Sequence, residues 1–254
     1  MPDASRTTRI DDLADVYDRL IDWPRRLARE APFFRSWFES IGARRVLDLG
    51  CGTGHHAAMF HSWGMEVVGA DVSATMLARC RQHHGEGERL RWVERSFLQP
   101  LQVEKPFDAV VCVGNSLALV EDGEALTYAL GSMATAMRPG GLGIIQVLNL
   151  RSLVRGPIHW QKVLCSGHSG APTILLKGVH RCGDRGYVSV VELTMGADGL
   201  TKRTHSADFL DVSQAKVTGA IRALGGEVAG VWGGYGQEPF EEAVSSDLVF
   251  VWRR

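Results

Sequence analysis

The stretch that most constrains the fold is Val46-Leu47-Asp48-Leu49-Gly50-Cys51-Gly52-Thr53-Gly54-His55. Its apolar opening reads as a short buried strand. Three glycines follow at alternate positions, and His55 to Trp63 then reads as a helix that stops at Gly64. Glycine is needed where a turn takes positive φ or where backbone must lie against a ligand. The helix beyond it offers unpaired N–H groups. A strand, a glycine turn and a helix in that order belong to an open α/β sheet, whose ligands sit at the carboxyl ends of its strands. The dinucleotide pattern G-x-G-x-x-G fits at Gly50 and Gly52 but fails at its third glycine, where His55 stands.

A second acid supports a nucleoside ligand. MEVVGAD reads as the next strand and ends at Asp71. A carboxylate there can accept hydrogen bonds from both hydroxyls of a ribose. Ser73 is a good N-cap for a helix carrying Met76, Leu77 and Cys80 on one side. LRWVERSF reads as the third strand, ending at Ser96-Phe97. Phe107 to Val113 is the fourth and opens into Gly114-Asn115-Ser116. A helix from Asp122 to Met137 carries the stripe Leu126, Leu130, Met133 and Met137, and Arg138 to Gly141 (RPGG) stops it before the strand GLGIIQVLN. Continuous apolar strands alternating with amphipathic helices predict a doubly wound α/β sheet covered on both faces.

The flanks read differently. Residues 10–21 place Ile10, Leu13, Ala14, Tyr17, Leu20 and Ile21 on one helical face, and a second helix is expected over Pro32 to Ser40 with Pro32 as starter. After Leu150 the alternation ends. PIHWQKVL, TILLKGVH and YVSVVELTM, joined by RCGDRG and GADGL, read as antiparallel strands. A helix near Ser213 to Leu224 and the strands EVAGVWGGYG and SDLVFVWRR close the chain. The expected plan is a helical lead (1–41), a cofactor-binding core (42–150), a β-rich lid insertion over the substrate (151–211) and a helix with a strand pair completing the core (212–254).

Composition removes several classes. A chain of 254 residues with 45% apolar residues can bury a sizeable core. A formal charge of −1 supplies no broad positive field for nucleic acid. No run approaches the roughly 18 apolar residues of a membrane helix, and MPDASRTTRIDD lacks a signal-peptide core. Five irregularly spaced cysteines suit reduced thiols, so a soluble cytoplasmic protein is expected. Cys165, His168, His180 and Cys182 do not follow a common zinc spacing, and no metal is expected.

The loop D-x-G-x-G-x-G, with Asp48 inside its strand, resembles motif I of the class I S-adenosylmethionine-dependent methyltransferases. That resemblance implies a Rossmann-like sheet of seven strands in the order 3-2-1-4-5-7-6, the last one antiparallel. It implies S-adenosyl-L-methionine as cofactor, with Asp48, Gly50, Cys51, Gly52 and Gly54 at its methionine part and Asp71 on the ribose. Val72 and Met76 would lie beside the adenine, with Phe97 as a ring wall. Ser96 stands where the family often has an Asp contacting the adenine amino group. Val113 and Asn115 complete the cofactor set, and Asn115 and Ser116 are placed near the transferred methyl.

FDAVVCVGNSLALV, a helix and MRPGG resemble the glycine/sarcosine N-methyltransferase branch over residues 46–150, and the closing strand pair resembles it more loosely. In that setting Tyr17 and Arg25 or Arg26, of which Arg26 is preferred, would meet the methionine end, an Arg pairing its carboxylate bidentately. GNSL is not the N-P-P-Y-like motif of enzymes that methylate nucleic-acid bases. The implied function is in-line methyl transfer to a small-molecule acceptor, at the nitrogen of an amine or amino acid, with no essential side-chain base. O-methylation of a small metabolite, a non-catalytic cofactor-binding module and, least favoured, an NAD-dependent oxidoreductase remain as alternatives. His55 and the lack of a nearby Tyr-x-x-x-Lys pair oppose the last. Acceptor contacts are expected from Asn115, Trp160, Lys177 and Arg181. The branch includes homo-oligomers, which leaves that state open.

Overall fold

The structure is a computed structural model that describes residues 16, 18–99, 105–166 and 171–254. The core runs α1 (Trp23–Ser40), β1 (Arg45–Leu49), α2 (His55–Ser62), β2 (Glu66–Asp71), α3 (Ala74–His84), β3 (Leu90–Glu94), β4 (Phe107–Cys112), a 3-10 turn (Ser116–Leu119), α4 (Gly123–Ala136) and β5 (Met137–Leu148). A second set of strands follows: β6 (His159–Ser166), β7 (Thr173–Cys182), β8 (Arg185–Gly196) and β9 (Gly199–Leu210). Then come α5 (Gln214–Ala223), β10 (Glu227–Trp232) and β11 (Asp247–Arg253).

The large sheet has the order β3-β2-β1-β4-β5-β11-β10. Pairings among β1 to β5 are parallel, and β11 is antiparallel to both its neighbours. This is the expected seven-stranded plan. Side chains alternate across the sheet. Leu47, Leu49, Val110 and Cys112 pack with Leu126, Leu130 and Met133 of α4 and with Val217 and Ile221 of α5. On the other face Val46, Val111 and Ile144 meet Phe33, Phe34 and Phe38 of α1, Phe60 of α2 and Leu77 of α3. Both faces are covered, which is why the central strands are apolar throughout rather than alternating.

Several boundaries differ from the sequence reading. The helix expected at Pro32 begins at Trp23, because the Asp22 side chain accepts from the Arg25 N–H and Pro24 occupies the first turn. Pro32 therefore lies inside α1, held there by the aromatic ridge that follows it. β3 stops at Glu94, short of Ser96-Phe97, and the Arg95 N–H turns to the Asp71 carbonyl at 2.7 Å. RPGG belongs to the irregular start of β5.

The second sheet is an antiparallel meander, β6-β7-β8-β9, set between β5 and α5. β9 has no apolar signature in its first half, where Thr201 to Thr204 are exposed, yet it pairs with β8 along its whole length. Val179, Val188, Ala207 and Phe209 join the main core, and Leu175 and Val190 pack with Val16 and Leu20. Residues 16 and 18–20 are helical, and Val16 and Leu20 share a face as i and i+4. The expected contributions of Ile10, Leu13, Ala14 and Tyr17 lie outside the described residues. At the neck of the second sheet, Arg151 Nε donates to Asp211 Oδ2 at 3.0 Å. None of the described helices is long and apolar enough to cross a membrane.

Candidate active site

Gly50, Gly52 and Gly54 all take positive φ, at 73°, 54° and 82°. The Gly50 and Cys51 N–H groups donate to the Ala70 carbonyl, closing the loop over the end of β2. Two of the glycines serve different ends. A Cβ on Gly50 would stand 2.6 Å from Ser116 Cβ and 3.2 Å from the Phe97 ring, where the loop meets the cavity. A Cβ on Gly54 would strike Trp92 and Cys80, so that glycine lets β3 and α3 pack against the loop.

Asp71 is tied into the loop. Its Oδ2 accepts from the Gly52 N–H at 2.8 Å and its Oδ1 from the Ser73 N–H at 3.0 Å. Ser73 Oγ in turn caps α3 at the Met76 N–H. Below the loop Asp48 is buried, and its Oδ2 has no hydrogen-bond partner among the described residues. Burial, with the nearby Asp71 charge adding to it, pushes the Asp48 carboxyl up to about 7, against a hydrogen bond from the Ala57 N–H.

These groups border a cavity of about 960 Å³. That is the upper part of the ~300–1,000 Å³ range of ligand pockets. Gly50, Gly52, Asp71, Val72 and Met76 line one end, with Ser96 and Phe97 beside them. Asn115, Ser116, Arg26 and Lys177 also reach it. Asp48, Cys51, Gly54 and Val113 lie behind the lining. Cys51 packs in the aromatic core, and the Val113 carbonyl accepts from Ser116 Oγ at 3.1 Å. Trp160 is more than half exposed and lies outside the lining, stacked over Gly178. Arg181 turns to Asp211 at 3.8 Å and also stays outside. Tyr17 lies outside the described residues.

The structure adds residues that sequence reasoning missed. Glu30 of α1 is buried at the cavity edge. It accepts from Arg26 Nε at 2.9 Å and from Arg29 Nη2 at 3.3 Å, and pairs with His56 Nε2 at 2.7 Å. Burial raises the Glu30 pKa, but His56 and Arg26 outweigh it and hold the carboxyl below its ordinary value. Burial lowers the pKa of His56 despite Glu30. The stable arrangement is therefore an anionic Glu30 between a cationic Arg26 and a neutral His56. Tyr235 presents to the same wall a buried hydroxyl without a hydrogen-bond partner among the described residues, its ring edge-on to Phe33.

Across the cavity Gly114 and Asn115 are both left-handed, at φ 75° and 73°. Gln146 holds that turn: its Oε1 accepts from the Gly114 N–H at 2.7 Å and its Nε2 donates to Asp247 Oδ1 at 2.6 Å. Asn115 Oδ1 accepts from the Leu148 N–H. Burial raises the Asp247 carboxyl against its bond from Gln146. From the second sheet comes Lys177, whose ammonium is disfavoured by burial and by nearby Lys162 and Arg26. Glu30, Gln146 and Asp247 sit in apolar or amphipathic segments with no motif around them, so no local signal marks them.

Residues 46–141 match the model of a methyltransferase domain. The chain is 34% identical over 149 residues to a glycine/sarcosine N-methyltransferase of Parasynechococcus marenigrum (strain WH8102), covering 58% of this chain and 53% of that protein. A cypemycin N-terminal methyltransferase of a Streptomyces species is 26% identical over 222 residues, 86% and 88% of the two chains. The S-adenosylmethionine-bound structure of CalS10, an amino pentose methyltransferase from Micromonospora echinaspora, superposes with a TM-score of 0.75 at 22% identity over 95% of each chain.

Residues 46–141 thus match a methyltransferase domain, and sheet order, glycine loop and terminal acid give the chain the Rossmann-like fold of the S-adenosylmethionine-bound CalS10 structure. By sequence, the chain resembles the glycine/sarcosine N-methyltransferase branch. It spans about half the length of the glycine/sarcosine relatives it matches.

Proposed function

We propose that the protein methylates an amine nitrogen of a small-molecule acceptor larger than glycine. One observation carries the reading. The cavity runs without a break from the glycine loop to the inner face of the second sheet, where Val179, Val188, Val190, Ala207 and Phe209 line it. An apolar wall of that extent has no use for a two-carbon zwitterion and suits an acceptor with an apolar body. The name of the glycine/sarcosine relative specifies a nitrogen acceptor, which supports the choice of atom.

The residues present fit the cofactor. Asp71 keeps lone pairs for ribose hydroxyls beyond the backbone bonds that fix it. Val72, Met76 and Phe97 form an apolar slot of the kind an adenine needs, with Ser96 at its edge. Arg26, held by Glu30 at the cavity, would pair with the methionine carboxylate, and the loop backbone at Gly50 and Gly52 would allow close approach. Asp48, Cys51, Gly54 and Val113 support the loop from behind. When bound, S-adenosylmethionine supplies a methyl group already activated by its sulfonium.

What remains for the protein is to hold the acceptor in line and exclude water. Asn115 and Ser116 stand at the junction of the two halves, and the second sheet closes the far side as a lid. An amine can lose its proton to solvent before it enters, so no side-chain base is needed. No histidine is among the described residues that line the cavity. A second reading, O-methylation, rests on Lys177, because burial favours a neutral amine there that could take a hydroxyl proton.

The test is S-adenosylhomocysteine production with amino sugars, amino acids and small amines, set against matched alcohols and phenols. Amine turnover that survives Lys177→Met is expected. Turnover of hydroxyl acceptors alone, abolished by that substitution, would replace this reading with the second.

A further inference from the structure

A polar cluster lies outside the cavity lining. His55 opens α2, and His83 and His84 close α3. One ring nitrogen from each lies within 4.8 Å of the other two. Asp18, on the helical stretch before α1, reaches the same point. Its Oδ1 is 3.5 Å from His55 Nε2, and its Oδ2 is 4.0 Å from His83 Nδ1. His55 Nε2 and Asp18 Oδ2 are both buried, and among the described residues neither makes a hydrogen bond of ordinary length; the His55 ring meets Asp18 only through the long 3.5 Å pairing. Buried polar atoms are rarely left so, and one cation between them would satisfy both.

The surroundings already orient these groups as a metal's outer shell does. Thr53 Oγ1 donates to Asp18 Oδ1 at 2.7 Å, and Trp23 Nε1 donates to the same oxygen at 2.9 Å. His84 Nε2 bonds the Thr53 carbonyl at 3.1 Å, which leaves its other ring nitrogen a lone-pair donor. Trp23 stacks on His55 with ring centroids 4.2 Å apart. Histidine ligands fixed through their second nitrogen and hydrogen-bonded carboxylate ligands are the usual support of a metal centre. Three imidazoles and a carboxylate form a four-coordinate N/O set suited to zinc, with bonds of about 2.0–2.2 Å. Ligand atoms then stand roughly 3.3 Å apart. Against the 4.8 Å within which the imidazole nitrogens lie and the 3.5 and 4.0 Å to Asp18, binding an ion would draw the four groups together.

We propose that Asp18, His55, His83 and His84 form a binding site for a divalent transition-metal ion of the zinc type. The ligands come from three elements, so the ion pins the N-terminal helical segment to the helix after the glycine loop and to α3. Leu20, Ile21, Asp22 and Arg26 follow Asp18 in the chain and line the cavity. The ion would therefore clamp the segment that brings these residues to the cavity. The site stands apart from the identity of the methyl acceptor.

The test uses tag-free full-length protein stripped with chelator and titrated with Co²⁺ in visible absorption and with Zn²⁺ by calorimetry. One ion per chain is expected, with the intense visible bands of a four-coordinate site and no thiolate charge-transfer band. Affinity should fall at least tenfold in His83→Ala and in Asp18→Asn. His83 is exposed, so its variant should keep the wild-type circular dichroism spectrum and melt. Zinc should also slow tryptic cleavage after Arg19 and Arg25 in the wild type and not in His83→Ala. Absence of stoichiometric binding, unchanged affinity in both variants, or a thiolate band pointing to Cys165 or Cys182 would overturn the site. Cleavage unaffected by zinc would overturn the clamp.

Discussion

The Gly52 N–H donates to Asp71 Oδ2 at 2.8 Å, so the tip of the glycine loop and the acid ending the neighbouring strand form one unit. The acid reads as a ligand-binding group from its place in the chain. The structure shows that it also shapes the loop. Asp71→Ala should therefore weaken S-adenosylhomocysteine binding by about 1–3 kcal/mol, roughly five- to 150-fold, as polar groups lose their partner. Calorimetric titration measures this, and unchanged affinity would remove Asp71 from the site.

Gly50→Ala should abolish cofactor binding and lower the melting temperature. The new Cβ would stand 2.6 Å from Ser116 Cβ, and a left-handed φ adds about 1–2 kcal/mol of strain for an L side chain. Gly64→Ala is the control. Its φ of 85° carries the same strain, but no atom of the described residues outside its chain neighbours lies within 4 Å of the added Cβ. That variant should lose stability and still bind. Equal binding by both variants would mean that the loop is not a cradle.

Asp48 makes stability depend on pH. Its carboxyl is raised in the folded state from 3.8 to about 7, so the native chain holds a proton that the unfolded chain gives up. The contribution is fully present below about 3.8 and is lost as the pH rises towards 7, where it levels. Asp48→Asn keeps an oxygen for the Ala57 N–H and carries no charge. Its melting temperature should exceed that of the wild type at pH 8, with the gap closing by pH 4. A gap that does not change with pH would show that Asp48 is not strained by ionisation.

Lys177 offers a way to separate the two halves of the cavity. Lys177→Met removes a buried amine whose charge is disfavoured, and leaves the glycine loop untouched. Cofactor affinity should stay within about twofold, while the KM for an acceptor rises by tenfold or more, as for loss of a buried polar contact. Isothermal titration and initial rates on one preparation decide it. A matching fall in cofactor affinity would place Lys177 at the other end.

What the sequence made legible was local. Val46 to Gly54, Asp71 after β2 and Asn115 after β4 are each announced by a strand that ends in a turn, and a Rossmann-like sheet places all such turns on one edge. The same logic has no hold on groups that reach the cavity from afar. Glu30 lies on a helix whose visible signal is its aromatic face. Asp247 is simply the first residue of a terminal strand, brought to the cavity because β11 runs against the sheet beside β5. The start of α1 was obscured by Pro32, which looks like a helix opener until Asp22 and Pro24 are seen to provide one. β9 was invisible because its first half is exposed on both faces, and its partner strand alone makes it a strand.

The pairing of Arg151 with Asp211 brings together the two points where the chain leaves and re-enters the large sheet. Everything between them is a detour that begins and ends at nearly the same place. A detour tied off at its root can change in length and lining with only a few apolar anchors such as Val188 and Phe209 to keep, and the large sheet need not move. On the proposed function, acceptor choice could then be rewritten without touching the glycine loop.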